Sequence, residues 1–268
     1  MISLLYRART VGPVCDRVAR QSDSIQAIRD DQPVPNGGTI VRWGSVWPAN
    51  GDVRRSINSV EAVAVAQNKI ESRRRLGTLA PLTFFTQDTL PDPTQMPLVI
   101  RPGKHHAGRR FFVCKTQRAV NHAIKICRNP WYASVLIDKS REYRVFVCQG
   151  RIVTVSERFP VDEHAIAWNL AMGGRLLNVR YKDWPIPVCK TAVLAAEQLG
   201  LDWSAIDVMV GTGGNIFVCE ANVAPGLRNP FTIQQIARVF TWIDGHDTAP
   251  AVCERDRWQN LRHPALQQ

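Results

Sequence analysis

The segment REYRVFVCQGRIVTVSERF, residues 141–159, most narrows what this chain can fold into. Apolar and polar residues alternate on both sides of Gln149-Gly150. A period of two marks a half-buried strand, and a Gly-containing pair between two such runs marks a tight turn. The segment therefore reads as a β-hairpin. In its first strand Glu142 and Arg144 share a face, and Arg158 lies at the end of the partner strand. Arginines placed in this way can clamp a phosphate or a carboxylate bidentately, or can form cross-strand surface ion pairs.

A second strand pair closes the sequence. AIDVMV and NIFVCEAN flank Gly211-Thr212-Gly213-Gly214. A turn there lays the two strands antiparallel and brings Asp207 opposite Glu220 and Asn222, which lie two apart and point to one face. Three hard oxygen side chains then converge. Magnesium takes few ligands from protein and the rest from phosphates and water, so the trio is a candidate metal site. Three polar residues capping strand ends are the alternative.

Between these landmarks strands and helices alternate. Residues 1–58 read as a small α/β unit: strand ISLLY, a polar, helix-like stretch to about Asp31, then strand GTIVRW. Residues 58–76 read as one helix, with Ser56, Asn58 or Ser59 as N-cap and Gly77 as the stop. A Pro-rich connector precedes LVIRPGKHHAGRRFFVCK, read as strand, basic Gly-bearing loop, strand. Helix-like residues 117–128, strand YASVLID, helix-like residues 187–199 closed by Gly200, and a last helix over 231–242 follow. From about Asp244 a polar tail is expected to be loosely attached.

A formal charge of +11 points to anionic partners, nucleotides, nucleic acid or acidic substrates. Much of that charge lies between residues 101 and 131, a stretch that has no Asp or Glu. The RPGKHHAGRR loop within it is neither a Walker A sequence nor a GxGxxG. It can cover polyphosphate or be a solvated basic hairpin. His105, His106 and His164 read as solvated loop residues rather than a catalytic base. Seven scattered cysteines without a CxxC argue against a disulfide framework or structural zinc, and those in apolar runs read as small core residues. No apolar run reaches about 18 residues, and the N-terminal apolar stretch is short for a signal peptide. No membrane association and a cytoplasmic location are the expectation.

Taken in order, the strand–basic loop–strand unit, the E-Y-R-V hairpin ending in Arg, N-x-x-x-G-G, a helix ending LGLD, and D…E-x-N followed by P-G resemble the ATP-grasp fold. The resemblance is to the branch of ribosomal-protein glutamate ligases and glutathione synthetases, over roughly residues 60–230. It implies an α/β (α+β) fold in which nucleotide binds between two α+β subdomains: a small N-terminal α/β unit over 1–58, an ATP-grasp domain over 59–243 and a tail over 244–268. It implies ATP and Mg2+, a carboxylate donor and an amine acceptor such as an acidic amino acid or peptide, and ligation through an acyl phosphate. Asp207, Glu220 and Asn222 would hold the metal. Arg101 stands where the family usually has a lysine, with Lys104, Gly108 and Arg109 in the loop over the phosphates. Val135, Leu136 and Ile137 would read the adenine edge, and Glu142 would line the nucleotide site. Arg144, Arg158 and Asn169 would serve the reaction centre. A nucleic-acid-binding or nucleic-acid-modifying protein and a degenerate ATP-grasp scaffold are the other readings.

Overall fold

The structure, a computed structural model, describes residues 1–7, 11–103, 110–162, 165–166, 168 and 173–245. It opens with a four-stranded parallel sheet: β1 (Ile2–Tyr6), β2 (Ile25–Arg29), β3 (Gly38–Arg42) and β4 (Val53–Ile57), in the order β2-β1-β3-β4. Helix α1 (Gly12–Ala19) connects β1 to β2. The polar stretch to Asp31 is therefore not one helix. Ile25 and Ile28 are buried, and pairing along β1 draws this short, mixed sequence into a strand. β4, with its two arginines, carries no clear strand pattern either.

The expected helix over 58–76 is two helices, α2 (Val60–Gln67) and α3 (Lys69–Leu76). Ser59 caps α2 by accepting from the Ala62 amide at 3.0 Å. Asn68 leaves helical geometry at ψ 100° and caps α3 through the Glu71 amide at 3.2 Å. A residue that competes for backbone donors breaks the run where apolar periodicity alone would continue it.

A small antiparallel sheet follows: β5 (Thr83–Phe84), β6 (Leu98–Pro102), β7 (Phe112–Cys114) and, after α4 (Gln117–Cys127), β8 (Trp131–Val135), in the order β5-β8-β6-β7. Helix α4 covers one face through Val120, Ala123 and Cys127.

The largest sheet is antiparallel: β9 (Lys139–Cys148), β10 (Arg151–Phe159), β11 (Arg175–Asn178) and, after α5 (Ile186–Gln198), β12 (Trp203–Gly211) and β13 (Ile216–Asn222), in the order β11-β10-β9-β12-β13. The β9–β10 turn has φ of 48° at Gln149 and 69° at Gly150, the double positive φ of a turn whose twist matches the hairpin's. Helices α2 and α5 cover one face, where Val145, Val147, Ile152, Ile206, Val208 and Val218 form the main core. The last helix, α6 (Pro230–Gly245), lies on the other face with the N-terminal unit. It runs past the expected 231–242, and Asp244 ion-pairs with the N-terminal ammonium at 2.7 Å.

An aromatic group fastens the N-terminal unit to this sheet. Trp43, just past β3, lies 5.4 Å from the Trp203 ring of β12, which lies 5.0 Å from Phe240 of α6. Asn58 is wholly buried and bonds both the amide and the carbonyl of Trp203. Of the described cysteines, Cys15, Cys114, Cys127, Cys148 and Cys189 are buried and Cys219 half-buried, all as free thiols. Among the described residues no helix is long and apolar enough to cross a membrane.

Candidate active site

The face of the large sheet turned toward α6 divides into two ends. At one end Phe146, Cys148, Trp203 and Ala205 are packed under α6. At the other the side chains are charged. Cross-strand registers put Glu142 opposite Arg158, Arg144 opposite Asp207, and Asp207 opposite Glu220. Directly paired residues project to the same side of a sheet, so five of the residues singled out from sequence share one surface.

A β-bulge decides this for Glu220. Val208 pairs with Val218, yet Asp207 pairs with Glu220, leaving Cys219 as the extra residue. Val218 lies in the helix-covered core. In an unbroken strand Glu220, two residues on, would point there too. The bulge re-aims it to the charged face, and Asn222 follows. A second irregularity, between Val210 and Gly211 on β12, lies at the start of β9 and brings Lys139 to Glu142.

The charges are closely paired. Arg144 grips Asp207 with both prongs, Nε to Oδ1 at 2.7 Å and Nη2 to Oδ2 at 2.8 Å. Arg158 donates Nη2 to Asp207 Oδ2 at 2.6 Å and Nη1 to Glu142 Oε1 at 2.7 Å. Lys139 donates to the other Glu142 oxygen. Lys139, Arg144 and Arg158 against Glu142 and Asp207 leave one surplus positive charge. Asp207 is 3% exposed. Burial pushes its carboxyl up, but Arg144 and Arg158 outweigh that and hold it below the usual range. Burial works against the Arg158 cation too, and Asp207 and Glu142 overcome it, so its pKa is raised.

Glu220 differs. Its side chain is 32% exposed and its ion-pair partner is Lys69, at the start of α3, at 3.6 Å. Lys69 holds the Glu220 carboxyl below its ordinary range against burial and Asp207, with Arg144 and Arg101 assisting. Helix α3 also joins the two antiparallel sheets. Arg73 donates to the carbonyls of Val218 and Cys219 at 3.3 and 2.6 Å and lies over the Tyr132 ring of β8.

The donor set suits magnesium better than a softer metal. Glu220 and Asn222 are partly exposed oxygen donors. Asp207 has three of its acceptor directions taken by guanidinium. Among the described residues no three His, Cys, Asp or Glu side chains form a metal-holding group. Magnesium takes one or two carboxylates and completes its shell from phosphates and water.

Arg101 ends near this face, half-buried at β6, with its guanidinium 5.6 Å from the Phe111 ring. The expected strand 134–137 ends at Val135. The amides of Val135 and Leu136 donate to the carbonyls of Leu82 and Pro97, and Ile137 is half-buried. Lys104, Gly108, Arg109 and Asn169 lie outside the described residues, as do His105, His106 and His164. Lys69 and Lys139 do not stand out in the sequence. The first is one lysine inside the single helix expected over 58–76, and the second reaches Glu142 only through an irregularity in the strand pairing, which leaves no periodic trace. Cys219, read as a small core residue, is half-buried at the bulge.

The chain is similar to known proteins along most of its length. Residues 59–239 match the model of the RimK-like ATP-grasp domain. A β-citrylglutamate synthase B of Danio rerio is 24% identical over 143 residues, which is 50% of this chain and 33% of that protein, so the match spans about a third of the relative's length. Among solved structures, a Chryseobacterium gregarium RiPP-associated ATP-grasp ligase in complex with ADP and a leader and core peptide superposes with a TM-score of 0.64 at 13% identity, covering 95% of this chain and 99% of that one. A D-alanine–D-alanine ligase of Bacillus anthracis gives a TM-score of 0.61 at 10% identity, covering 92% and 98%.

Proposed function

The chain belongs to the RimK-like ATP-grasp family, and from that membership we propose that it is an ATP- and Mg2+-dependent ligase joining a carboxylate to an amine through an acyl phosphate. The observation that carries this reading is the charged end of the large sheet. Two carboxylates paired across β12 and β13, two arginines and two lysines meet there beside the small sheet.

A carboxylate acylates poorly because oxide is a poor leaving group, and phosphorylation corrects that. Phosphoryl transfer needs mainly positioning and neutralisation of charge. Glu220 and Asn222, with Asp207 behind them, would hold Mg2+, which when bound supplies charge neutralisation on the nucleotide phosphates. Arg144 and Arg158 then have two tasks: they keep Asp207 ionised and oriented, and they leave surplus positive potential for the transferring phosphoryl group. Lys139 and Arg158 hold Glu142 in place. Arg101, Lys104, Gly108 and Arg109 would contact the polyphosphate. Adenine would be read by the Ile137 amide and the carbonyls of 135–137, since the Val135 and Leu136 amides are already engaged. Asn169 would act near the acyl group.

The test is phosphate release from ATP against a panel of carboxylates and amines, across a magnesium titration. Release that requires both partners and falls with Glu220→Gln supports the reading. Magnesium-independent release, or none with any pair, overturns it.

A further inference from the structure

The β13 bulge is what turns Glu220 from the helix-covered core to the charged face, and the ladder holds that bulge on one side only. β13 is an edge strand, at one end of the order β11-β10-β9-β12-β13. Cys219, the extra residue, falls between the Val208–Val218 and Asp207–Glu220 pairs. An extra residue locally disrupts the ladder, and an edge strand has no second neighbour to steady it.

Arg73 of α3 occupies the open side of the bulge. Its Nη1 donates to the Val218 carbonyl at 3.3 Å and its Nη2 to the Cys219 carbonyl at 2.6 Å. Successive carbonyls of a regular strand point to opposite edges, so a fork approaching from one side would meet only every second one. Here it meets two in a row. The rigid guanidinium fork therefore fits the bulged strand and not the straight one. Both bonds go to main chain, so they fix where the backbone runs rather than pair a charge.

The surroundings hold the guanidinium in place. Its central carbon lies 5.9 Å from the centroid of the buried Tyr132 ring of β8, and Tyr132 pairs directly with Arg101 of β6. Three residues before Arg73, Ile70 lies close against the end of β6: a Cβ on Gly103 would come within 2.9 Å of its Cδ1. Lys69, four residues before Arg73 and so on the same face of α3, is the residue that pairs with Glu220. Helix α3 thus reaches the bulge from a position anchored on the small sheet.

We propose that Arg73 is a positioning residue, which holds the β13 bulge and through it aims Glu220 at the magnesium ion. The role of Glu220 rests on the ligase reading; the grip of Arg73 on the bulge does not. The sign of the effect separates this from a charge effect. A guanidinium beside a cation site repels the cation, so losing its charge alone would tighten magnesium. Losing the brace weakens it.

The test uses the full chain. Affinity for a non-hydrolysable ATP analogue is measured calorimetrically across a magnesium series in wild type, Arg73→Met and Arg74→Met. The last removes the same charge from the neighbouring exposed arginine, which lies over Phe85 instead. Hydrogen exchange over residues 216–222 is followed in the same proteins without nucleotide. The expected result in Arg73→Met is a half-saturating magnesium concentration raised at least about tenfold, the low end of what a residue supporting a metal ligand contributes, with faster exchange over 216–222. Arg74→Met should match wild type in both. Arg73→Lys keeps the charge but not the fork, should shift magnesium in the same direction, and answers the question where Arg73→Met does not fold. An unchanged or lower magnesium requirement in a folded Arg73 variant, unchanged exchange over 216–222, or an equal shift in Arg74→Met would each overturn the proposal and leave the ligase reading standing on a magnesium-dependent wild type. A wild type that binds the analogue equally with and without magnesium would overturn the ligase reading and the proposal with it.

Discussion

Asp207 and Glu220 face each other across one strand pair, yet neutralising each should have opposite consequences. Asp207→Asn leaves Arg144 and Arg158, both buried, without the carboxylate that takes three of their charge-assisted bonds. Removing one partner of a buried ion pair typically costs about 3–5 kcal/mol, because the remaining charge stays out of water. At roughly 2–4 °C per kcal/mol for domains of this class, the melting temperature should fall by roughly 6–20 °C. Glu220→Gln removes one half-exposed carboxylate from one lysine at 3.6 Å. A pair that exposed is worth about 1 kcal/mol or less, so the melt should move by only a few degrees. Turnover should nonetheless drop by at least about two orders of magnitude, the scale of losing one major electrostatic stabiliser. Thermal melting and magnesium-dependent phosphate release, measured on both variants, decide the matter. Equal destabilisation would refute the assignment of Asp207 as the structural hub. A folded Glu220→Gln with normal turnover and unchanged magnesium dependence would refute the metal site.

Other outcomes follow from the same contacts. Asn58→Ala strands the buried amide and carbonyl of Trp203 and should cost about 2–4 kcal/mol in chemical denaturation. Because Asp207 titrates lower folded than unfolded, its contribution is fully present above its ordinary pKa of 3.8 and is lost as pH falls through the lower folded value. Wild type should therefore lose stability more steeply than Asp207→Asn in acid titrations below about pH 4. Arg144→Lys keeps the charge but loses the two-pronged grip, and should lower turnover more than Mg·ATP affinity in parallel kinetics and calorimetry.

The sequence made the strands around the site legible because period-two alternation and turn residues are local signals. Gln149-Gly150 announced the β9–β10 turn, and Gly211 to Gly214 announced the antiparallel pairing of β12 with β13. Gly200, at φ 68°, ends α5 as read. What the sequence left hidden is non-local or irregular. The grip of Arg144 on Asp207 joins residues 63 apart in the chain. The bulge at Cys219 and the irregularity beside Lys139 reverse the facing that plain alternation predicts. Asn68 splits a helix that its apolar neighbours would have carried through.

In the proposed reaction a carboxylate oxygen attacks the terminal phosphorus of ATP. Once a reactive pair is found, its carboxylate is labelled with 18O and the released inorganic phosphate is analysed by mass spectrometry. Formation of an acyl phosphate and its capture by the amine leaves one carboxylate oxygen on phosphate, so one 18O should appear in phosphate for each amide bond formed. Phosphate that carries no label while amide accumulates would contradict the account.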